Sequence, residues 1–142
     1  MPNFQLHPQL QQDCFLLGKF ELCQVLLVND SQFPWFILVP QRENIREIYE
    51  LAADDQITLI RESSYLAEKL AMIFEADKLN IAAIGNLVPQ LHLHHVVRYR
   101  NDKAWAAPIW GKFSAVPYTE QQREQLLTRL TSLELLCDIT QN

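Results

Sequence analysis

The sequence predicts an α+β fold, a mostly antiparallel sheet with helices packed on it. Three observations predict it. Two continuous apolar runs, residues 25–28 and 35–39, flank the turn-rich Asn29-Asp30-Ser31-Gln32-Phe33-Pro34, which reads as strand, loop, strand. A long stretch with apolar residues at 3–4 spacing follows and reads as a helix. Two more strand-like runs, 79–84 and 90–99, then precede a second stripe of helical period.

Taken in order, His7-Pro8-Gln9-Leu10 predicts a short helix with Pro8 in its first turn. His7 stands alone and reads as a surface histidine. Residues 15–28 are rich in strand formers, with Gly18-Lys19 as a break. Pro40 ends the strand over 35–39. Asn44-Ile45-Arg46-Glu47 has the pattern of a capping box and predicts a short helix to about Leu51. Asp54 or Asp55 then caps the longer helix. Its core stripe is Leu59, Leu66, Leu70 and Ile73, with Ile60, Ala67, Ala71 and Phe74 beside it. Residues 101–117 lack periodicity and read as a long loop carrying Trp105 and Trp110. Thr119-Glu120-Gln121-Gln122 opens a C-terminal helix with Leu126, Leu130, Leu133 and Cys137 on one stripe.

A chain of 142 residues is expected to form one domain, with its core at about 14–100 and a C-terminal loop and helix over 101–142. Composition, 49% hydrophobic and 20% charged, excludes a disordered chain. No apolar run approaches the length of a membrane span, and the N-terminus lacks the basic-then-apolar order of a signal peptide. Cys14, Cys23 and Cys137 are odd in number and lack metal-type spacing, so buried thiols and a cytoplasmic location are expected. The net charge of −5 argues against nonspecific nucleic-acid binding, which draws on clustered positive charge. A small anion would need a local array of donors.

Such an array is offered by Gln90-Leu91-His92-Leu93-His94-His95, which holds three of the four histidines. In a strand, Gln90, His92 and His94 share one face while Leu91, Leu93 and His95 share the other. The Cα atoms of His92 and His94 then stand roughly 7 Å apart, close enough for both rings to reach one phosphoryl group or one metal ion. His95 is assigned to the core or an interface. Arg98 and Arg100 continue the His92 face. His94 to Arg98 spans about 13 Å, so they reach a distal phosphate or form a solvated strand end. Trp105 and Trp110 either cover the site and stack on a base, or pack the loop. Asn80 and Asn86 flank the loop before the strand, where an amide either contacts ribose or phosphate oxygens or serves the turn.

Residues 85–94, Gly-Asn-Leu-Val-Pro-Gln-Leu-His-Leu-His, resemble the signature of the histidine triad family, a Gly-Gln-x-Val-x lead-in followed by His-x-His-x-His. Gly85 and Val88 match the lead-in, with Asn86 at its Gln position. His92 and His94 match the second and third triad positions, and Gln90 stands at the first. Asn29 or Asp30, followed by 35–40, resembles the family's ribose-binding acidic turn and a strand ending in Pro. After Pro40, Gln41-Arg42-Glu43-Asn44 departs from the Lys-x-His of many members. The resemblance covers residues 20–100 well and the last forty loosely.

The resemblance implies an antiparallel sheet of about five strands and a homodimer. It implies a nucleotide hydrolase or nucleotidyl transferase acting at an α-phosphate through a nucleotidyl-histidine intermediate. Dinucleoside polyphosphates and nucleoside phosphoramidates are the implied kinds of substrate. His92 is then the nucleophile. His94 binds phosphate oxygens or assists the leaving group, and Gln90 supports by hydrogen bonding. Asp30, Asn29, Asn80 and Asn86 are the implied nucleotide contacts. No cofactor, metal, membrane or nucleic-acid partner is expected. Two rivals stand beside this reading: a nucleotide-binding module with weak turnover, and a metal-dependent hydrolase using His92 and His94 as ligands.

Overall fold

The computed structural model describes residues 3–135 and 137–138. In chain order the elements are α1 (Pro8–Asp13), β1 (Cys14–Lys19), β2 (Cys23–Val28), β3 (Trp35–Pro40), a 3-10 turn (Ile48–Glu50), α2 (Ala53–Phe74), β4 (Lys78–Ala83), β5 (Leu93–Arg98), α3 (Glu120–Arg129) and β6 (Cys137–Asp138). All pairings are antiparallel, in the order β4-β5-β3-β2-β1-β6. Five strands of six residues make up the body of this sheet, and the two-residue β6 adds an edge. The α+β expectation holds.

Strand periodicity sorts side chains between the two faces of the sheet. One face presents Leu17, Val25, Leu27, Phe36, Leu38, Leu93 and Val97 to α2. That helix answers with Leu59, Ser63, Leu66, Leu70 and Phe74, all buried. Each fully buried leucine contributes about 1.5–3 kcal/mol. The predicted stripe is thus rotated slightly: Phe74 belongs to it, and Ile60 faces solvent at 59% exposure.

Three helix boundaries differ from the sequence reading. Asn44 takes a left-handed backbone, φ 57°, so it does not cap. The capping box instead joins Glu47 and Glu50 around the 3-10 turn. Ala52 precedes α2 without a side-chain cap, and Asp54 and Asp55 fill its first turn, where carboxylates complement the helix dipole. Thr119 and Gln122 do form the predicted box, but α3 ends at Arg129, so Leu130 and Leu133 are buried beyond it and Cys137 lies in β6. The break after β1 falls at residues 20–22, where the Glu62 carboxylate accepts from the backbone N–H groups of Leu22 and Cys23 at 2.8 and 2.9 Å. Gly18 sits at a register shift between β1 and β2. Cys14 and Cys23 are free thiols, and burial raises both pKa values, that of Cys14 to about 12.

The opposite face carries the functional residues and is covered by the N-terminal segment with α1 and by the loop after β5. Phe4, Leu6 and Leu10 pack on Leu26, Ile37 and Val39. The loop after β5 packs Ala104 and Ile109 against Phe33 and Val96. Arg98 anchors that loop. Its side chain is 2% exposed, its Nε and Nη2 donate to the two Asp102 oxygens at 2.8 and 3.0 Å, and Nη1 donates to Asn80 Oδ1 at 2.7 Å. The guanidinium also lies over the rings of Phe33 and Trp105. Arg98 is therefore neither a solvated strand end nor a phosphate ligand: the loop folds back and buries it in an ion pair. Among the described residues, no helix is long and apolar enough to cross a membrane.

Candidate active site

β5 pairs with β3 and β4 on either side, so its register places the histidines. His94 lies opposite Ile37 and Ala82, and His95 opposite Phe36 and Ile81. His95 points into the core, fully buried. Its Nδ1 lies 3.1 Å from the Leu93 carbonyl, which only accepts, so that nitrogen carries the proton. Nε2 then accepts from the Ser63 hydroxyl at 2.7 Å. Burial lowers its pKa to about 4. This histidine is a satisfied core residue.

His92 and His94 lie on the other face, with ring centroids 4.9 Å apart. Their tautomers are opposite, and each follows from its partner. His92 Nδ1 is 2.7 Å from the Gln90 backbone carbonyl, so Nδ1 holds the proton and Nε2 keeps its lone pair. His94 Nδ1 accepts from the Trp35 indole N–H at 3.0 Å, so the neutral ring carries its proton on Nε2. One ring thus offers a nucleophilic nitrogen and the other an N–H donor. Both are 7% exposed. Burial is the main cause that lowers the His92 pKa, against the Gln90 carbonyl, which raises it. His94 is lowered to about 3, by burial first and then by its histidine neighbours.

These tautomers yield a prediction. Trp35→Phe keeps an aromatic ring and removes the donor. His94 can then take a proton at Nδ1, so its midpoint moves up from about 3. Turnover is expected to fall about fivefold, the worth of roughly one hydrogen bond. An NMR titration of the His94 ring that shows no upward movement contradicts the tautomer assignment.

A cleft of about 440 Å³ opens over both rings, lined by residues 84–88, His92, His94, Trp110 and Gly111. Its walls are mostly apolar, as small-molecule clefts are. Gly85 has φ 68° and Gly111 φ 76°, a conformation that favours glycine at these two positions lining the cleft. Trp110 packs edge-on against His94, with centroids 5.4 Å apart. Its Nε1 is buried without a partner among the described residues.

Of the predicted contacts, the fold brings His92, His94, Asn86 and Trp110 together at this cleft. Asn80 is instead bonded to Arg98. Asn29 Oδ1 accepts from Tyr118 N–H, and Asp30 Oδ1 accepts from the Gln32 backbone and side chain and from Val116 N–H, so both hold the 114–118 loop to the turn after β2. Trp105 covers Arg98 instead of lining the cleft, and Arg100 is exposed in the turn after β5. Among the described residues, no group of three His, Cys, Asp or Glu side chains is placed to hold a metal ion.

Gln90 departs from the predicted strand. β5 begins at Leu93, and Leu91 N–H bonds to the Ile45 carbonyl rather than to a sheet neighbour. The Gln90 amide turns to the N-terminal segment: Oε1 accepts from His7 N–H at 2.8 Å and Nε2 donates to the Gln5 carbonyl at 2.9 Å. His7 is consequently no lone surface histidine. It is half-buried, its Nδ1 caps α1 by accepting from Gln9 N–H, and its proximity is one of the causes that lower the His92 pKa. No local signal at His7 marks this, because the contact joins residues 83 apart.

The fold is shared with known proteins. The family model described as "HIT domain" matches residues 9–101, from α1 through β5. The fold superposes on a histidine triad protein from Marinobacter aquaeolei VT8 with a TM-score of 0.90 and 53% identity, covering 92% of this chain and 95% of that one. A histidine triad protein from Sinorhizobium meliloti 1021 gives 0.90 and 39%, covering 93% and 98%. One from Bradyrhizobium japonicum gives 0.87 and 38%, covering 89% and 95%. No curated protein matches the chain. The family model's match over more than half of the chain and the near-complete overlap with these structures have one source: the chain belongs to the histidine triad family.

Proposed function

We propose that the protein is a nucleotide hydrolase or nucleotidyl transferase that acts at an α-phosphate through His92. Members of the family generally act on nucleotides, as hydrolases or transferases. The observation that carries the reading is the opposed pair of tautomers, an Nε2 lone pair on His92 beside an Nε2–H on His94. The His92 Nε2–phosphorus bond forms as the bond from phosphorus to the leaving group breaks, and the leaving group departs with that electron pair. His94 donates to a non-bridging phosphoryl oxygen, where charge builds. The oxygen of water, or of an acceptor hydroxyl, then bonds to phosphorus as the phosphorus–nitrogen bond breaks, the electron pair returns to His92 Nε2, and the proton of the attacking oxygen is released to solvent.

Gln90 stands at the first triad position in this reading. Its carbonyl fixes the tautomer of His92, while its amide is spent on the N-terminal segment. The apolar walls over the histidines take the nucleoside, and the Asn86 amide supplies a polar contact there. Asn29, Asp30 and Asn80 are nucleotide contacts at one remove, since each holds a loop that frames the site. The proposed homodimer has an open edge to use, because β4 is terminal in the sheet and Ile81 on it is 47% exposed.

Two measurements test this. Mixing enzyme with nucleotide substrate and quenching in the steady state is expected to yield a nucleotidyl adduct on the peptide carrying His92, detected by mass. Turnover without any adduct, under conditions that trap a phosphorus–nitrogen bond, sinks the covalent route. The pH profile supplies the second. Protonating Nε2 removes the nucleophile, so activity is lost as pH falls through the folded-state pKa. Burial holds that pKa below 6.5, so the acid limb of kcat/KM is expected below pH 6.5. A limb at or above 6.5 contradicts the assignment.

A further inference from the structure

The cleft over the histidines contains no lysine or arginine, and its two imidazoles are held in neutral forms. It can therefore seat one phosphoryl group by hydrogen bonding but has nothing to neutralise a second. The charge for that lies next door. A smaller niche of about 50 Å³ is lined by Arg46, Glu47, Ala83, Ile84, Gly85, Leu91 and His92. Ile84, Gly85 and His92 line both spaces, so His92 sits on their common boundary.

The backbone holds Arg46 in this position. The Ile45 carbonyl accepts from Leu91 N–H at 2.8 Å, which sets Arg46 beside His92, the next residue in each segment. Arg46 N–H donates to Glu50 Oε1 at 2.9 Å. The acidic neighbours place their hydrogen bonds on backbone groups: Glu50 takes the N–H groups of Arg46 and Glu47, and the Glu47 side chain takes that of Glu50, while the Arg46 charge adds to the lowering of the Glu50 pKa that those backbone bonds cause first. Among the described residues the ion pairs are Arg42–Asp55 and Arg98–Asp102, and the Arg46 guanidinium has no hydrogen-bond partner. Arg42 and Arg98 are thus committed to structure, and Arg46 is a cation near the nucleophile with its donors free. Guanidinium is the side-chain group best matched to phosphate oxygens, two at a time.

We propose that Arg46 binds the phosphate adjacent to the one that His92 attacks. The substrates are then nucleotides with two or more consecutive phosphates, in preference to nucleoside phosphoramidates with a single phosphorus. This rests on the nucleotide reading of His92 above. Arg46 is a specificity determinant in it, and the chemistry at the α-phosphate proceeds without it.

The test compares AMP and ADP binding by calorimetry with chelator present, for wild type, Arg46→Ala and Arg46→Lys. Wild type is expected to bind ADP about tenfold more tightly than AMP, as one added charge-assisted contact implies. In Arg46→Ala the preference falls to about unity, and in Arg46→Lys part of it survives, because the charge remains but the bidentate geometry does not. A wild type without the preference, or an Arg46→Ala protein that keeps it, overturns the proposal, and a loss of affinity shared equally by both ligands counts as keeping it. Failure of wild type to bind either nucleotide overturns the underlying reading instead. Binding of both with no dependence on Arg46 overturns only this step.

Discussion

Replacing His92 with alanine is expected to lower kcat on a nucleotide substrate by about 10,000-fold or more, the scale at which an obligatory nucleophile is lost. The substitution removes the Nε2 lone pair and with it the covalent route. Structural damage is expected to be small. His92 precedes β5 rather than lying within it, and among the described residues its ring bonds only to the carbonyl at Gln90. Thermal unfolding and nucleotide affinity, measured beside the rate, separate the two kinds of effect. Retained affinity with lost turnover and no adduct supports the nucleophile. Turnover within about tenfold of wild type would assign the chemistry to another group. Nucleotide binding by wild type without turnover would favour the module reading. Turnover abolished by chelator and restored by metal would favour the metal-dependent rival.

The largest expected effect on stability comes from Asp102→Ala. Arg98 would then remain almost fully buried with its charge uncompensated, and removing one partner of such a pair costs about 3–5 kcal/mol. Urea unfolding measures this as a lower midpoint at unchanged slope. The double variant Arg98→Met/Asp102→Leu is expected to lie closer to wild type, because it removes both charges and keeps apolar volume. A fall below about 1 kcal/mol for Asp102→Ala would mean that water reaches the guanidinium. The pair also has a pH signature. Hydrogen bonds from Arg98 first, then from the backbone of Tyr99 and Ala104, hold the Asp102 carboxyl at about 2, below its ordinary 3.8. Its stabilisation is therefore present above pH 3.8 and disappears as the pH falls toward 2. Because the pair ties down the loop that presents Trp110 to His94, activity should fall alongside stability in Asp102→Ala.

Much of the frame was readable from local pattern. The apolar runs at 25–28 and 35–39 had to be neighbouring strands, because the turn-rich stretch between them is too short for anything but a hairpin-like return. The 3–4 stripe from Leu59 to Phe74 had to be a helix with one buried face. The pairing of His92 with His94, and the exile of His95 to the core, followed from period-two alternation. Capping was less legible. Asn44 and Asp54 are good caps by residue type, yet the 3-10 turn begins later, after Glu47, and α2 begins earlier, after Ala52, since backbone direction at those turns is decided by packing.

The sequence by itself determined the architecture and the two ring positions, because both depend on periodicity and on residues near one another in the chain. The tertiary structure decided which nitrogen of each ring carries the proton. That choice belongs to the Gln90 carbonyl for His92 and to the Trp35 indole for His94, and the indole comes from a strand 59 residues away. It also decided that Arg98 is buried in an ion pair while Arg46 lies beside His92, and that Gln90 clamps the segment bearing His7. Charge and hydrogen bonding act through space at a few ångströms, and only the folded chain sets those distances.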